Sequence, residues 1–399
     1  MGNGSEGLTR RRFVETTGAV SLATALGGCC RREDVSTVDP DIGRKNRPET
    51  IVVISRIRDG KVEELHERLQ GHVFDTPVSG VHFARMTILP AAATGGYDEL
   101  MLSIVFDDHE RVALDFLSRN AKTIDPLFSL VEGWPPGGAA DRTALQNWIT
   151  AFSREILLLY SAFSRGSDPA IRESVVLREN FLELVRGVTY EPSHAETRYH
   201  DFLLDNRTRI DMHEEGGTAD LTPAEFVYPH DQNPFTMIYE VRPENLEKVS
   251  ATLAVGQWAI DNFHIHPLRE IPTVHYARFA SLGGNKILFA SCYDGEWDQY
   301  VQDFAARIPT KLDKVWGGSV GYPAGGAANA PGLAKWLDER RIPRDFFYIS
   351  AGRRTVKEIQ ASLALGTKLL RWSKDVPARG DELVASLQRF VREHQRLLA

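Results

Sequence analysis

Residues 274–326 read VHYARFASLGGNKILFASCYDGEWDQYVQDFAARIPTKLDKVWGGSVGYPAGG. Two apolar runs flank Gly283-Gly284-Asn285, a helical stretch follows, and Gly321-Tyr322-Pro323 stops it. A Gly-Asn pair between apolar runs signals a β-hairpin, and Gly then Pro ends a helix. The same order occurs in residues 81–138: VHFARMTIL, then DELMLSIVFDD, then a helix ending in VEGWPPGG. His82, Ala84 and Arg85 match His275, Ala277 and Arg278, and Asp107 matches Asp294. Asp115, Phe116, Arg119 and Asp125 match Asp303, Phe304, Arg307 and Asp313.

The duplication extends outward at a spacing of about 190 residues, far longer than a solenoid unit. Pro48, Thr50 and Arg56 align with Pro234, Thr236 and Arg242, and Trp148 aligns with Trp336. ILLLYSA (156–162) aligns with DFFYISA (345–351). Each copy reads β-α-β-β-α-β with an added C-terminal helix. The expected fold class is therefore α+β: a tandem duplication of a ferredoxin-like module. Helices cover one face of each antiparallel sheet, and the second copy is the obvious cover for the other, giving two sheets packed as a barrel-like unit. The boundaries expected are 48–186 and 234–372, with a 187–233 linker between the modules and an amphipathic C-terminal helix in 373–399.

Residues 1–28 stand apart. Thr9-Arg10-Arg11-Arg12-Phe13-Val14 resembles a twin-arginine export signal, and a weakly apolar segment follows it. Leu26-Gly27-Gly28-Cys29 resembles a lipobox with Cys29 as the acylated residue, which implies a membrane partner through a lipid anchor, with 29–47 as a polar tether. The net charge is −7 and no basic stripe is interleaved with aromatics, so nucleic acid is not an expected partner. Cys29, Cys30 and Cys292 are the only cysteines, too few for a disulfide framework or a cysteine metal site.

A two-residue turn at Gly284-Asn285 would pair Gly283 with Lys286 and put His275 directly opposite Asp294. A carboxylate beside an imidazole fixes its tautomer and raises its basicity, which suits a general base or an iron ligand. The matching pair His82 and Asp107 supports a different reading, since a single catalytic centre does not need its residues in both copies. Arg278, like Arg85, alternates with the histidine along the strand. There is no P-loop, no GxGxxG after a strand, no HExxH and no GxSxG.

HYARF followed by LFASCYDGEWDQYVQDF, residues 275–304, is similar to a group of bacterial peroxidase-like proteins of the dimeric α/β-barrel superfamily, which includes dye-decolourising peroxidases and chlorite dismutases. The resemblance covers residues 48–372. It implies haem in one half, Asp294 as distal acid, and a histidine on the iron, drawn from His275, His213, His230 and His264. Arg278 would join Asp294 and His275 in the catalytic set. The family's distal Gly-x-x-Asp-Gly stands here as Ser291-Cys292-Tyr293-Asp294-Gly295, with Ser in the first position. Two functions follow as expectations: an exported haem-dependent oxidoreductase, or a haem-free lipoprotein that uses the barrel to bind a small molecule or as a scaffold.

Overall fold

The computed structural model describes residues 48–70, 79–107, 110–163, 166–213, 232–263, 267–343, 345–352, 354–377 and 379–398. The first half runs β1 (Pro48–Arg56), α1 (Val62–Leu69), β2 (Val81–Leu89), β3 (Glu99–Asp107), α2 (Glu110–Arg119), α3 (Ala121–Phe128), α4 (Arg142–Phe152), β4 (Ile156–Ser161) and α5 (Asp168–Tyr190). Helix α6 (Ala195–Asp211) follows. The second half runs β5 (Gln232–Glu240), α7 (Leu246–Phe263), β6 (Val274–Ser281), β7 (Lys286–Asp294), α8 (Trp297–Arg307), α9 (Pro309–Trp316), α10 (Ala330–Asp338), β8 (Phe346–Ile349) and α11 (Val356–Asp375). Two helices close the chain, α12 (Gly380–Glu393) and α13 (Gln395–Leu398).

The fold is α+β and ferredoxin-like, with two four-stranded antiparallel sheets ordered β1-β3-β2-β8 and β4-β6-β7-β5. Each sheet takes its last strand from the other half of the sequence: β8 pairs with β2, and β4 pairs with β6. The 48–186 and 234–372 boundaries therefore mark sequence copies and do not separate the sheets. On its way to the second sheet, the chain before β4 touches β1 through a Ser153–Val53 bridge and an Arg154 N–H to Val52 C=O bond of 2.8 Å. The chain before β8 does the same to β5, through Arg341–Met237 and an Ile342 N–H to Thr236 C=O bond of 2.8 Å. These seams carry the eight strands round as a barrel, which covers the sheet edges.

The same bridges correct the alignment of the first strands. Pro48 faces Asp107, whereas Gln232 faces Asp294. The match of Pro48 and Thr50 to Pro234 and Thr236 is therefore two residues out of step with the ladders.

Strand alternation sorts the side chains into two layers. Ala84, Met86, Leu100, Leu102 and Ile104 face the helices of the first half, against Phe116, Leu117, Phe128 and Trp148. Val52, Ile54, Leu89 and Met101 from one sheet meet Ile238, Ala280, Leu288 and Ala290 from the other in the barrel interior. The helices that follow the exchanged strands, α5 and α11, pack together with α6 and α12 as a further layer built on Phe181, Tyr199, Phe202, Leu365, Leu369 and Phe390. The amphipathic tail thus folds back onto the protein through Leu383, Leu387 and Phe390. Part of the 187–233 linker is α6, while residues 214–231 lie outside the described residues.

Residues shared by the two copies serve matching structural ends. Asp125 Oδ1 accepts the Ala139 N–H at 2.7 Å, and Asp313 Oδ1 accepts the Ala327 N–H at 2.8 Å. Each carboxylate pins the Gly-rich loop after its helix. Gly138 and Gly326 sit there at φ 64° and 72°, where a Cβ would strike the same carboxylate.

Candidate functional site

The β6–β7 hairpin turns on three residues, not two. The Leu282 N–H donates to the Lys286 C=O at 3.0 Å, and Ser281 pairs with Ile287. Gly283 and Gly284 take φ of 89° and 55°, a left-handed pair that glycine adopts without steric penalty. This register alone would place His275 opposite Tyr293 and out of phase with Asp294. A β-bulge between Val274 and Tyr276 makes His275 the extra residue and re-aims its side chain. His275 Nε2 then lies 2.6 Å from Asp294 Oδ1. The first half repeats the device: a bulge between Val81 and Phe83, and His82 Nε2 at 2.7 Å from Asp107 Oδ1.

The remaining oxygen of each aspartate is also engaged. Asp294 Oδ2 accepts the Val356 N–H at 2.8 Å, at the first residue of α11. Asp107 Oδ2 accepts the Asp168 N–H at 2.7 Å, at the first residue of α5. A helix N-terminus presents unpaired N–H groups and the positive end of its dipole, so a carboxylate there is favourable. Each His–Asp pair is therefore a latch, tying a strand end to the helix that follows the exchanged strand. Since the carboxylate accepts, Nε2 of each histidine carries the shared hydrogen. His275 Nδ1 is buried without a partner, its ring packed edge-on against Phe83 and Phe163.

The first latch continues further than the second. Asp168 accepts the Gly80 N–H at 2.9 Å and the Ser350 hydroxyl, and pairs with Arg172 at 3.3 Å. Its partners Arg172 and Ser350 line a cleft of about 630 Å³ together with Val175, Val176, Glu179 and Arg354. The cleft's charges are spent on one another, Arg354 on Glu179 and Glu358 and Arg172 on Asp168. Sequence reasoning did not single out Asp168 or Ser350. The Ser167-Asp168-Pro169 start of a helix was the available signal for the first.

Arg278 is not part of the latch. It projects from β6 into the barrel, where its Nη1 donates to Thr50 Oγ1 at 3.2 Å. Arg85 projects from β2 towards it, donating to the Phe235 C=O, Thr236 Oγ1 and the Ser291 C=O at 2.9, 2.7 and 2.6 Å. His213 is elsewhere again, at the end of α6, with Nε2 at 3.3 Å from Ser174 Oγ and against the bare backbone of Gly366. Burial pushes its pKa down to about 4. His230, His264 and Cys29 lie outside the described residues. Among the described residues expected to act together, the structure brings His275 and Asp294 into contact and places Arg278 and His213 elsewhere.

Among the described residues, Asp294, His275 and His213 do not fit haem. A distal acid needs a carboxylate free to meet peroxide, and both Asp294 oxygens are committed. An axial histidine needs an imidazole nitrogen facing open space. His275 is fully buried, with one ring nitrogen on Asp294 and the ring packed among aromatics. His213 is wedged between α5 and α11. Among the described residues no group of three or more His, Cys, Asp or Glu is placed to hold a metal ion.

No described protein family matches the chain, and no curated protein is similar to it. Three solved structures share parts of its architecture. A provisionally named monooxygenase from Fusobacterium nucleatum subsp. nucleatum has a TM-score of 0.32 at 9% identity, over 69% of this chain and 88% of that one. Another, from Lactobacillus acidophilus, has a TM-score of 0.27 at 9% identity, over 76% and 97%. An anthrone oxidase-like protein has a TM-score of 0.24 at 8% identity, over 78% and 96%. Likeness at this level says nothing of this chain's chemistry.

Proposed function

We propose that this chain is a haem-free, non-catalytic binding protein built on a fused α/β-barrel, exported and held at a membrane surface through Cys29. The observation that carries the non-catalytic reading is the twofold commitment of the aspartates. Asp107 and Asp294 each bind one histidine and one helix N-terminus, in the same way in both halves. A group used identically at two symmetric places serves the barrel itself. The peroxidase alternative gives Asp294 the role of distal acid, and the engagement of both its oxygens argues against that role.

Adding haem to the purified protein and recording the visible spectrum tests this. The expected result is no stoichiometric Soret complex and no peroxide turnover, in the wild type and in Asp294→Asn alike. A stoichiometric complex whose spectrum changes in His275→Ala would overturn the reading.

The export half of the proposal rests on the TRRRFV and LGGC segments of residues 9–14 and 26–29. Replacing Arg10 and Arg11 together by Lys is expected to block translocation. Cys29→Ser is expected to move the protein from the membrane to the soluble fraction, and unchanged fractionation of that variant would show that Cys29 carries no anchor.

A further inference from the structure

We infer that the barrel centre binds a small anion, no larger than phosphate, between the guanidinium groups of Arg85 and Arg278. Both side chains project from inner strands, β2 and β6, towards the opposite sheet, and they are only 2% and 4% exposed. Neither forms an ion pair with a carboxylate among the described residues. Their partners are neutral: two backbone carbonyls, Thr236 and the face of the Phe347 ring at 5.5 Å for Arg85, and Thr50 for Arg278. The Nε of each arginine is buried with no hydrogen-bond partner among the described residues. Two more donors share this inner wall. Ser103 pairs with Arg85 across the β2–β3 ladder, and Thr87 follows two residues along the same face. The hydroxyls of both are buried and unpartnered.

Buried charges in proteins are almost always paired, because desolvation of an ion is large and neutral dipoles offset it only in part. Buried water would satisfy the hydroxyls and the Nε groups but would leave both charges in place. An anion between the guanidinium groups would offset both charges and accept from them through charge-assisted N–H donation. The electrostatics agree. Burial lowers the Arg85 pKa to about 10; burial first and then repulsion from Arg85 lower that of Arg278 to about 9. Both therefore remain charged at neutral pH, and they repel one another. The chemistry selects for charge and compactness. A carboxylate, a halide and phosphate all qualify, whereas a bulky anion does not.

The test uses the full chain dialysed into sodium gluconate, an anion bulkier than the three to be tested, and follows thermal unfolding on addition of chloride, acetate or inorganic phosphate at constant ionic strength. The expected result is a saturable rise in Tm with at least one of the three, absent in Arg85→Met and Arg278→Met. In gluconate alone each Met variant should unfold at a higher temperature than the wild type, because one of two repelling charges has gone. A wild type indifferent to all three anions, or variants that respond as the wild type does, would overturn the inference. If a variant does not fold, bromide-soaked wild-type crystals decide. An anomalous peak between Arg85 and Arg278 supports the site, and its absence at saturating bromide, with no Tm response, sinks it. A Soret complex would end the haem-free reading without touching this result, and a silent anion titration would leave the haem-free reading intact.

Discussion

Asp294→Ala is expected to destabilise the protein by about 3–5 kcal/mol, the range for removing one member of a buried polar pair. The substitution strands two donors at once, Nε2 of a fully buried His275 and the Val356 N–H that opens α11. Asp107→Ala is expected to cost about the same, because it strands His82 and the Asp168 N–H in the matching arrangement. The Asn variants retain one acceptor and can donate to the ring in place of accepting, so about 1–3 kcal/mol is expected for each. Urea denaturation midpoints at neutral pH, compared at constant m-value, measure all four. The informative quantity is the similarity of the two halves. Should Asp107→Ala be strongly destabilising while Asp294→Ala is silent, the symmetric latch would be the wrong description, and Asp294 would again be available for another role.

Stability is also expected to fall by roughly 3 kcal/mol as the pH drops from 6.5 to 4, through His213 alone. In the unfolded chain this imidazole titrates near its ordinary value, whereas burial holds it near 4 in the folded protein. Between those values the unfolded state takes up a proton that the native state refuses, so acid favours unfolding there. Above about 6.5 both states are neutral at this residue and the contribution is complete. Its physical cause is dehydration between α5 and α11, where Ser174 Oγ at 3.3 Å is the ring's polar contact among the described residues and a Cβ on residue 366 would lie 2.1 Å from Nε2. His213→Phe keeps a ring of similar size without the proton. Its unfolding free energy, followed from pH 7.5 to 4, should lose that part of the acid slope while the slope from the remaining groups persists. An unchanged slope in His213→Phe would show that the imidazole is hydrated or paired in solution.

The hairpins and the duplication were legible because they rest on local signals, alternation around Gly-Gly-Asn and repeated side chains on either side of it. The contact between His275 and Asp294 was also legible, but by a route that does not hold. The turn is one residue longer than a Gly-Asn pair suggests, and the bulge at His275 restores the lost phase. Neither event leaves a mark in composition, since a bulge residue looks like any strand residue. The exchange of β4 and β8 was not legible for a different reason. ILLLYS and FFYI are apolar on both faces, so either sheet would accept them, and the ladders of β4 with β6 and of β8 with β2 settle which does. The burial of His213 depends on Gly366, far along the chain, where absence of a side chain is the feature that matters. Simple alternation would set Arg85 and Arg278 opposite the histidines, but the bulges carry His82 and His275 to Asp107 and Asp294, which lie four residues along their strands from Ser103 and Ala290, the ladder partners of those arginines. What alternation left open was the company these arginines keep.

Joining two copies end to end also changes what the barrel's interior can distinguish. Around a true twofold axis each inner position would occur twice with the same residue, and a guest on the axis would meet two indistinguishable orientations. Here the arginines have stayed alike while their ladder partners have not. Ser103 beside Arg85 stands where Ala290 lies beside Arg278, and the Phe83–Val105 pair stands where Tyr276 lies across from Cys292. One end of the chamber offers hydroxyl and hydrocarbon, the other methyl, phenol and thiol. A single chain with exchanged strands thus keeps the closed architecture of a symmetric pair while giving its centre a front and a back.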